Sequence, residues 1–263
     1  MTRVLITGCS TGFGRLAAVE LTKRGHDVVA TARDVSLLAG LPAAQTLRLD
    51  VADTGSVGEA IAQAGELDVV VNNAALSGYG PLETYPLDSF LRVLEVNTLG
   101  PLRLAQAVVP AWRARGSGVL VNVSSVQGRI GTPLEGAYAA SKHALEALSE
   151  TMHFELGHFG IRVVVIEPGY IAPGMKHDDD HAGPPVYAEL HKQWSGTVST
   201  LTGPEGRPGP EVVAEAVADA VDDPSTPLRV EVGKDAEQVL GLRRRLSDHE
   251  FEATMREALG LTW

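Results

Sequence analysis

Cysteine is all but missing. The 263 residues hold one, Cys9, so no disulfide can form within the chain, and its place inside a glycine-rich stretch has no metal-ligand spacing. Positive charge is also in short supply. Lys and Arg number 22 against 33 Asp and Glu, a formal net charge of -11 whose field repels phosphate backbones and anionic lipid. Nucleic acid and membrane are therefore excluded as expected partners. No apolar run reaches the roughly 18 residues of a membrane span. A strand-like run begins at about Arg3, which leaves no room for a charged leader followed by an apolar signal segment. There is no internal repeat and no low-complexity tract. A reducing, cytoplasmic location is the expectation.

What is present is apolar and regularly spaced. At 44% hydrophobic residues the chain can bury a sizeable core, and its length suits one domain, 1–263. Short apolar runs alternate with stretches of helical periodicity from end to end. That order predicts α/β architecture, a doubly wound parallel sheet with helices on both faces. Seven strands are predicted: RVLIT (3–7), DVVAT (27–31), TLRLDV (46–51), LDVVVN (67–72), GVLVNVS (118–124), IRVVVIE (161–167) and LRVEV (228–232). The first helix should run from about Phe13 to Arg24 and stop at Gly25, and Asp53 is placed to cap the helix after the third strand. The stretch 172–210 has no clear period and is rich in Gly, Pro, Asp and His. It reads as a lid-like excursion with one or two short helices.

The stretch TGCSTGFG (7–14) follows the first strand and opens the first helix, with glycines at 8, 12 and 14. Free N–H groups and the positive end of a helix dipole at such a turn suit a pyrophosphate, and glycine permits its close approach. The spacing is TGxxxGxG rather than GxGxxG, so the general dinucleotide fingerprint is met only approximately. A structural turn is the alternative. The second strand ends in VVATARD, where an acidic residue would bind ribose hydroxyls and repel a 2′-phosphate. Here Thr31 and Ala32 are neutral and Arg33 follows, which favours NADP(H) over NAD(H) unless Asp34 blunts the charge.

In AYAASKHALEALSE, Tyr138 and Lys142 are four residues apart on one helix face. A phenol of reference pKa roughly 10 transfers protons poorly at neutral pH, and a neighbouring ammonium should draw that value down. The same spacing also occurs on ordinary amphipathic helices. Ser125, thirteen residues before the tyrosine, lies at the end of a central strand, where open α/β sheets bind ligands.

Taken in order, TGCSTGFG, LDV (49–51), NNAA (72–75), VNTLG (96–100), VNVSS (121–125), YAASK (138–142) and EPG (167–169) make the chain resemble the short-chain dehydrogenase/reductase family over nearly its whole length. The resemblance implies a Rossmann-type fold and a catalytic tetrad of Asn97, Ser125, Tyr138 and Lys142. In it the serine orients a carbonyl, the tyrosine exchanges the proton, and the lysine tunes the tyrosine and holds the nicotinamide ribose. The main-chain carbonyl of the asparagine is implied to hold a water. Pro101 has no N–H for the helical bond to that carbonyl, which suits the role. The implied cofactor contacts are Gly8, Ser10, Thr11, Gly12, Phe13, Gly14, Arg33, Asp50, Val51, Asn73, Ala74, Tyr138, Lys142, Pro168, Gly169 and Ile171, with Asn72 steadying the sheet. Two departures stand out: Ala75 replaces the usual glycine of NNAG, and Pro173 stands where a threonine is common. Ala75 is tolerable only outside positive φ. The stretch 128–156 is also similar to family members acting on steroids, retinoids and other bulky carbonyl compounds.

Tyr79, Gln127, Tyr170, Met175, Tyr187 and Trp194 are candidates for an apolar substrate pocket. KHDDDH (176–181) reads as a solvated acidic loop rather than a metal site, so no metal is expected. His143 and Glu146 read as facing other directions on the Tyr138 helix, as packing or surface residues, and Arg243, Arg244 and Arg245 as solvated or paired with acids. The resulting expectation is an NADP(H)-dependent oxidoreductase that interconverts a ketone or aldehyde and an alcohol, and forms a homodimer or homotetramer by family analogy. Two alternatives stay open: a non-redox enzyme on the same scaffold (dehydratase, epimerase or cyclase), and a dinucleotide-binding regulator.

Overall fold

Valine and isoleucine fill the strands because both faces of this sheet are covered, and a β-branched side chain packs well on either one. The computed structural model describes residues 1–173, 181–197 and 206–263. Seven strands form one sheet: β1 (Arg3–Ile6), β2 (Asp27–Ala32), β3 (Gln45–Arg48), β4 (Val69–Asn72), β5 (Gly118–Val123), β6 (Ile161–Pro168) and β7 (Arg229–Val232). Their order is β3-β2-β1-β4-β5-β6-β7 and every pairing is parallel. The expected strands are all there, with ends shifted by no more than about three residues. Because the chain winds outward from β1 in both directions, the β1 and β4 ends open a crevice at their C-terminal edge, where such sheets bind ligands.

Alternation along each strand divides the core. Val4, Ile6, Val69, Val71, Val121 and Ile166 face α1 (Gly12–Lys23) and α7 (Glu211–Asp222). Leu5, Val70, Leu120 and Val163 face the opposite side, against α2 (Thr54–Ala64), α4 (Gly100–Arg115) and α5 (Gly136–Gly157). Each such side chain, fully buried, stabilises the fold by roughly 1.5–3 kcal/mol. Trp112 locks the second layer: its indole is 1% exposed, donates to the Leu67 carbonyl at 2.6 Å, and occupies the space where a Cβ on Gly118 would stand.

Both expected helix punctuations hold. Gly25 follows α1 at φ +85°, and the Asp53 carboxylate accepts from the Gly55 and Ser56 amides at 2.8 and 3.1 Å. A short helix α3 (Leu87–Leu94) runs into a widened π turn, Glu95–Leu99, before α4. Beyond β6, a 3-10 turn (Pro185–Tyr187) and α6 (Ala188–Thr197) supply the short helices foreseen in the excursion. After β7, α8 (Lys234–Arg245) and α9 (Asp248–Leu259) return over the sheet edge, with α9 started by a reciprocal Ser247–Glu250 cap.

Candidate active site

The glycine stretch is held together by the end of β4. Thr7 Oγ1 accepts from the Asn73 and Ala74 amides at 3.0 Å each, and the Asn73 side chain donates to the Thr7 and Gly8 carbonyls at 2.9 and 3.2 Å. Gly8 sits at φ +74°, and a Cβ there would come within 2.9 Å of the Ala74 Cα. A Cβ on Gly14 would meet the Asn73 amide and the Gly8 carbonyl oxygen. Two of the three glycines are thus needed for close packing of loop against strand. Gly12 differs: at φ +59° it has no neighbour among the described residues within 4 Å of a would-be Cβ, so open space lies over it. Thr11 begins α1 without a side-chain cap, so among the described residues the first-turn N–H groups have no capping side chain. Open space above uncapped amides at a helix N-terminus fits an anionic diphosphate. Cys9 is buried within the same turn, and burial pushes its thiol up to about 12, so it is chemically quiet. Ser10 and Phe13 flank the turn.

At the next strand end Arg33 is exposed. The neighbouring Asp34 carboxylate accepts from the Ser36 hydroxyl and amide at 2.7 and 2.9 Å, bonds that hold it below the usual carboxylate range and keep its negative charge next to Arg33. Asp50 accepts from the Ala52 amide at 3.1 Å, and Val51 is buried against α4. Among the described residues only Leu134 is a non-glycine at positive φ, so Ala75 meets its condition.

Ser125, Tyr138 and Lys142 converge. The Ser125 hydroxyl accepts the Gln127 amide at 3.1 Å and hydrogen-bonds Tyr138. Lys142 Nζ lies 5.6 Å from the centre of the Tyr138 ring. One expectation is corrected here. The ammonium donates to the Val123 carbonyl at 2.7 Å instead of to the phenol, and Tyr138 is shifted upward, not down. Burial is the main cause, opposed by the Ser125 hydrogen bond and assisted by the nearby Glu135 charge. Lys142 itself is drawn down to about 8 by burial, with the Glu146 charge working against that shift.

Asn97 lies in the π turn. Its side chain clamps the loop after β4, accepting from the Leu76 amide (2.7 Å) and donating to the Leu76 carbonyl (2.8 Å) and the Ser141 hydroxyl (3.0 Å). Asn72, expected to steady the sheet, donates to Asn122 of the neighbouring strand at 2.8 Å, and the onward link from Asn122 to Ser149 at 2.9 Å went unforeseen. Asp235, also unforeseen, accepts from the Tyr170 amide at 2.6 Å, and its carboxylate fills the space beside Gly169. Pro168 ends β6 and Ile171 is buried just beyond it.

Tyr79, Tyr170, Tyr187 and Trp194 meet in one apolar cluster with Leu134, Leu190 and Leu259. Gln127 is not in that cluster. It is buried beside Ser125, with its amide donating to Glu135. Tyr187 is the outermost of the set, donating to Glu83 at 2.6 Å. The contribution of α9 to this cluster had no local signal, since Leu259 is 65 residues from Trp194. Met175 lies outside the described residues, as does KHDDDH apart from His181, whose ring packs edge-on against Tyr85. A cavity of about 460 Å³ opens between α9 and residues 129–133, lined by neither Ser125 nor Tyr138. The arginine run pairs as expected, Arg243 with Asp248 and Arg244 with Glu231. Glu146, expected to face away from Tyr138 as a packing or surface residue, is buried one turn beyond Lys142, where it pairs with Arg229 at 3.0 Å.

A family model described as short chain dehydrogenase matches residues 2–183, and the chain belongs to that family. A solved short-chain dehydrogenase from Streptomyces avermitilis is 33% identical, with a TM-score of 0.82 and 97% of each chain covered. A gluconate 5-dehydrogenase from Burkholderia cenocepacia, solved with NADP and tartrate, is 27% identical with a TM-score of 0.73, covering 90% of this chain and 95% of that one. Human retinol dehydrogenase 5 is 40% identical over 181 residues, 64% of this chain and 56% of that protein. The sheet order and site therefore belong to an oxidoreductase family, and among the described residues no helix is long and apolar enough to cross a membrane.

Proposed function

We propose that the protein is an NADP(H)-dependent oxidoreductase that interconverts a ketone or aldehyde and an alcohol, with Tyr138 as the acid/base. The observation that carries this reading is the meeting of the Ser125 hydroxyl, the Tyr138 phenol and the Lys142 ammonium beside a glycine turn with open space over uncapped amides. A bound nicotinamide supplies the hydride. Ser125 donates to the carbonyl oxygen and holds its developing negative charge, while Tyr138 gives that oxygen its proton. Burial keeps the phenol protonated around neutrality, which is the state that reduction needs. Lys142, anchored on the Val123 carbonyl, places a positive charge against the phenol ring and stabilises the phenolate left behind.

Arg33 supports the NADP preference, being exposed at the strand end where other dinucleotide sites carry an acidic residue. The solved relative holding NADP supports it as well. The Tyr79, Tyr170 and Trp194 cluster and the likeness to a retinol dehydrogenase favour an apolar carbonyl or alcohol as substrate, and Tyr187, Leu190 and Trp194 bring the described part of the expected lid, 181–197, into that cluster. Family likeness also favours a homodimer or homotetramer. Parallel equilibrium titrations with NADPH and NADH, followed by nicotinamide fluorescence, test the reading. Tighter NADPH binding is expected; equal affinities would remove the preference, and no binding of either would remove the oxidoreductase assignment.

A further inference from the structure

One turn beyond Lys142 on the same helix lies a second buried charge that the proposed chemistry does not use. Glu146 is 4% exposed and Lys142 is 2% exposed, and the lysine Nζ donates to the Val123 carbonyl rather than to a carboxylate. Glu146 Oε2 accepts from Arg229 Nε of β7 at 3.0 Å, whereas its Oε1 is buried with no hydrogen-bond partner among the described residues. That oxygen and the unpartnered hydroxyl of Ser124 border the same point beside Gly128, 3.1 and 2.7 Å from where a Cβ would stand there. Ser124 separates Val123, the acceptor for Lys142, from Ser125. An ionised carboxyl with one oxygen left unpaired is costly to bury unless a nearby charge compensates.

We infer that Glu146 is a positioning residue for Lys142, its buried carboxylate, anchored on Arg229, serving as the counter-charge that keeps the ammonium protonated where burial opposes it. The inference rests on the reading of Lys142 as a functional group of the site. The surrounding charges fit. From β6, Glu167 faces Glu146 and is 1% exposed, with Arg129 at 3.6 Å and Arg229 at 3.9 Å. Burial, and then the Glu146 charge, push Glu167 up to about 7. Glu150 on α5 shares Arg229 at 2.6 Å, and Glu231 of β7 is occupied by Arg244 of α8. Arg229 is thus divided among carboxylates, and of the two on α5 Glu146 is the buried one, a single turn from Lys142, while Glu150 is half exposed.

The test reads the lysine directly. In protein labelled at lysine Cε with carbon-13, with Lys142→Met to assign its resonance, Lys142 is expected to titrate near pH 8. In Glu146→Gln its acid dissociation constant should rise by about tenfold, one pH unit downward. The basic limb of kcat against pH should move with it, while KM stays level. Glu150→Gln breaks an ion pair to the same arginine from the exposed side and should leave both titrations in place. If Glu146→Gln does not fold, Glu146→Asp withdraws the carboxylate by one methylene and should give a smaller downward displacement. An unmoved Lys142 titration in either folded variant overturns the inference, as does an equal displacement in Glu150→Gln. Full activity in Lys142→Met would instead overturn the proposed function, and the amine titration would still decide whether Glu146 holds the charge on Lys142.

Discussion

The two sides of the crevice are built from different materials. On the β1–β2 side the site is mostly main chain: glycines, an uncapped helix start, and Thr7 and Asn73 spending their polar atoms on holding the turn. On the β5–β6 side it is made of side chains brought from far apart in sequence, with Ser125, Tyr138, Lys142, Tyr170 and Trp194 arriving from four separate segments. A backbone site is specified by short contiguous motifs and accepts any ligand with the right charge. A side-chain site can discriminate, but it depends on packing that no local motif encodes.

Removing the phenol should have the largest effect. Tyr138→Phe is expected to lower the turnover of carbonyl reduction by ~10²–10⁴-fold, the range for one general acid/base, while NADPH affinity stays within a few-fold. Steady-state rates beside fluorescence titrations would show it, and a matched loss of binding would erase the division between the two sides. Gly8→Val comes next and strikes the other side. The branched side chain meets Ala74 at a positive φ, so we expect a stability loss of ~1–3 kcal/mol in thermal or urea denaturation, together with weak nucleotide binding. Gly12→Ala meets no neighbour within 4 Å among the described residues, but its φ of +59° is strained for any L side chain, so a smaller loss of ~1–2 kcal/mol is expected.

Arg33→Gln should weaken NADPH binding by ~10–100-fold, since a hydrogen bond to a charged group contributes about 1.5–3 kcal/mol, and leave NADH binding unchanged. An equal loss for both nucleotides would assign Arg33 to the fold. The smallest effect concerns Glu167. Its pKa is raised to about 7 in the folded chain, so the stability this group contributes is fully present below the ordinary carboxyl range and is lost as pH rises through 7. Thermal denaturation of Glu167→Gln from pH 4 to 8 should therefore show a gain relative to the native chain that grows up to about pH 7. A constant difference between the two would indicate that no proton is taken up there.

The extent to which the sequence could be read follows the same division. All seven strands, the Gly25 stop and the Asp53 cap were legible because apolar alternation and turn chemistry act within a few residues. Tyr138, Lys142 and Ser125 were legible as candidates from their spacing. Glu146 was not: it read as facing away from Tyr138, and nothing local shows that Arg229, 83 residues later, pairs with it. Asp235 and Leu259 were hidden for the same reason: each matters through a contact with a segment at least 65 residues away.

By itself, the sequence determined the parallel sheet, its covered faces and the glycine turn, because hydrophobic period and backbone conformational limits are local properties. Only the tertiary structure decided where the charges stand. It turned Lys142 to the Val123 carbonyl instead of the phenol, moved Tyr138 upward, and set Glu146 and Glu167 against each other around Arg229. The physical reason is desolvation: a side chain's charge depends on how completely the rest of the chain closes over it, and that is known only once distant segments have packed.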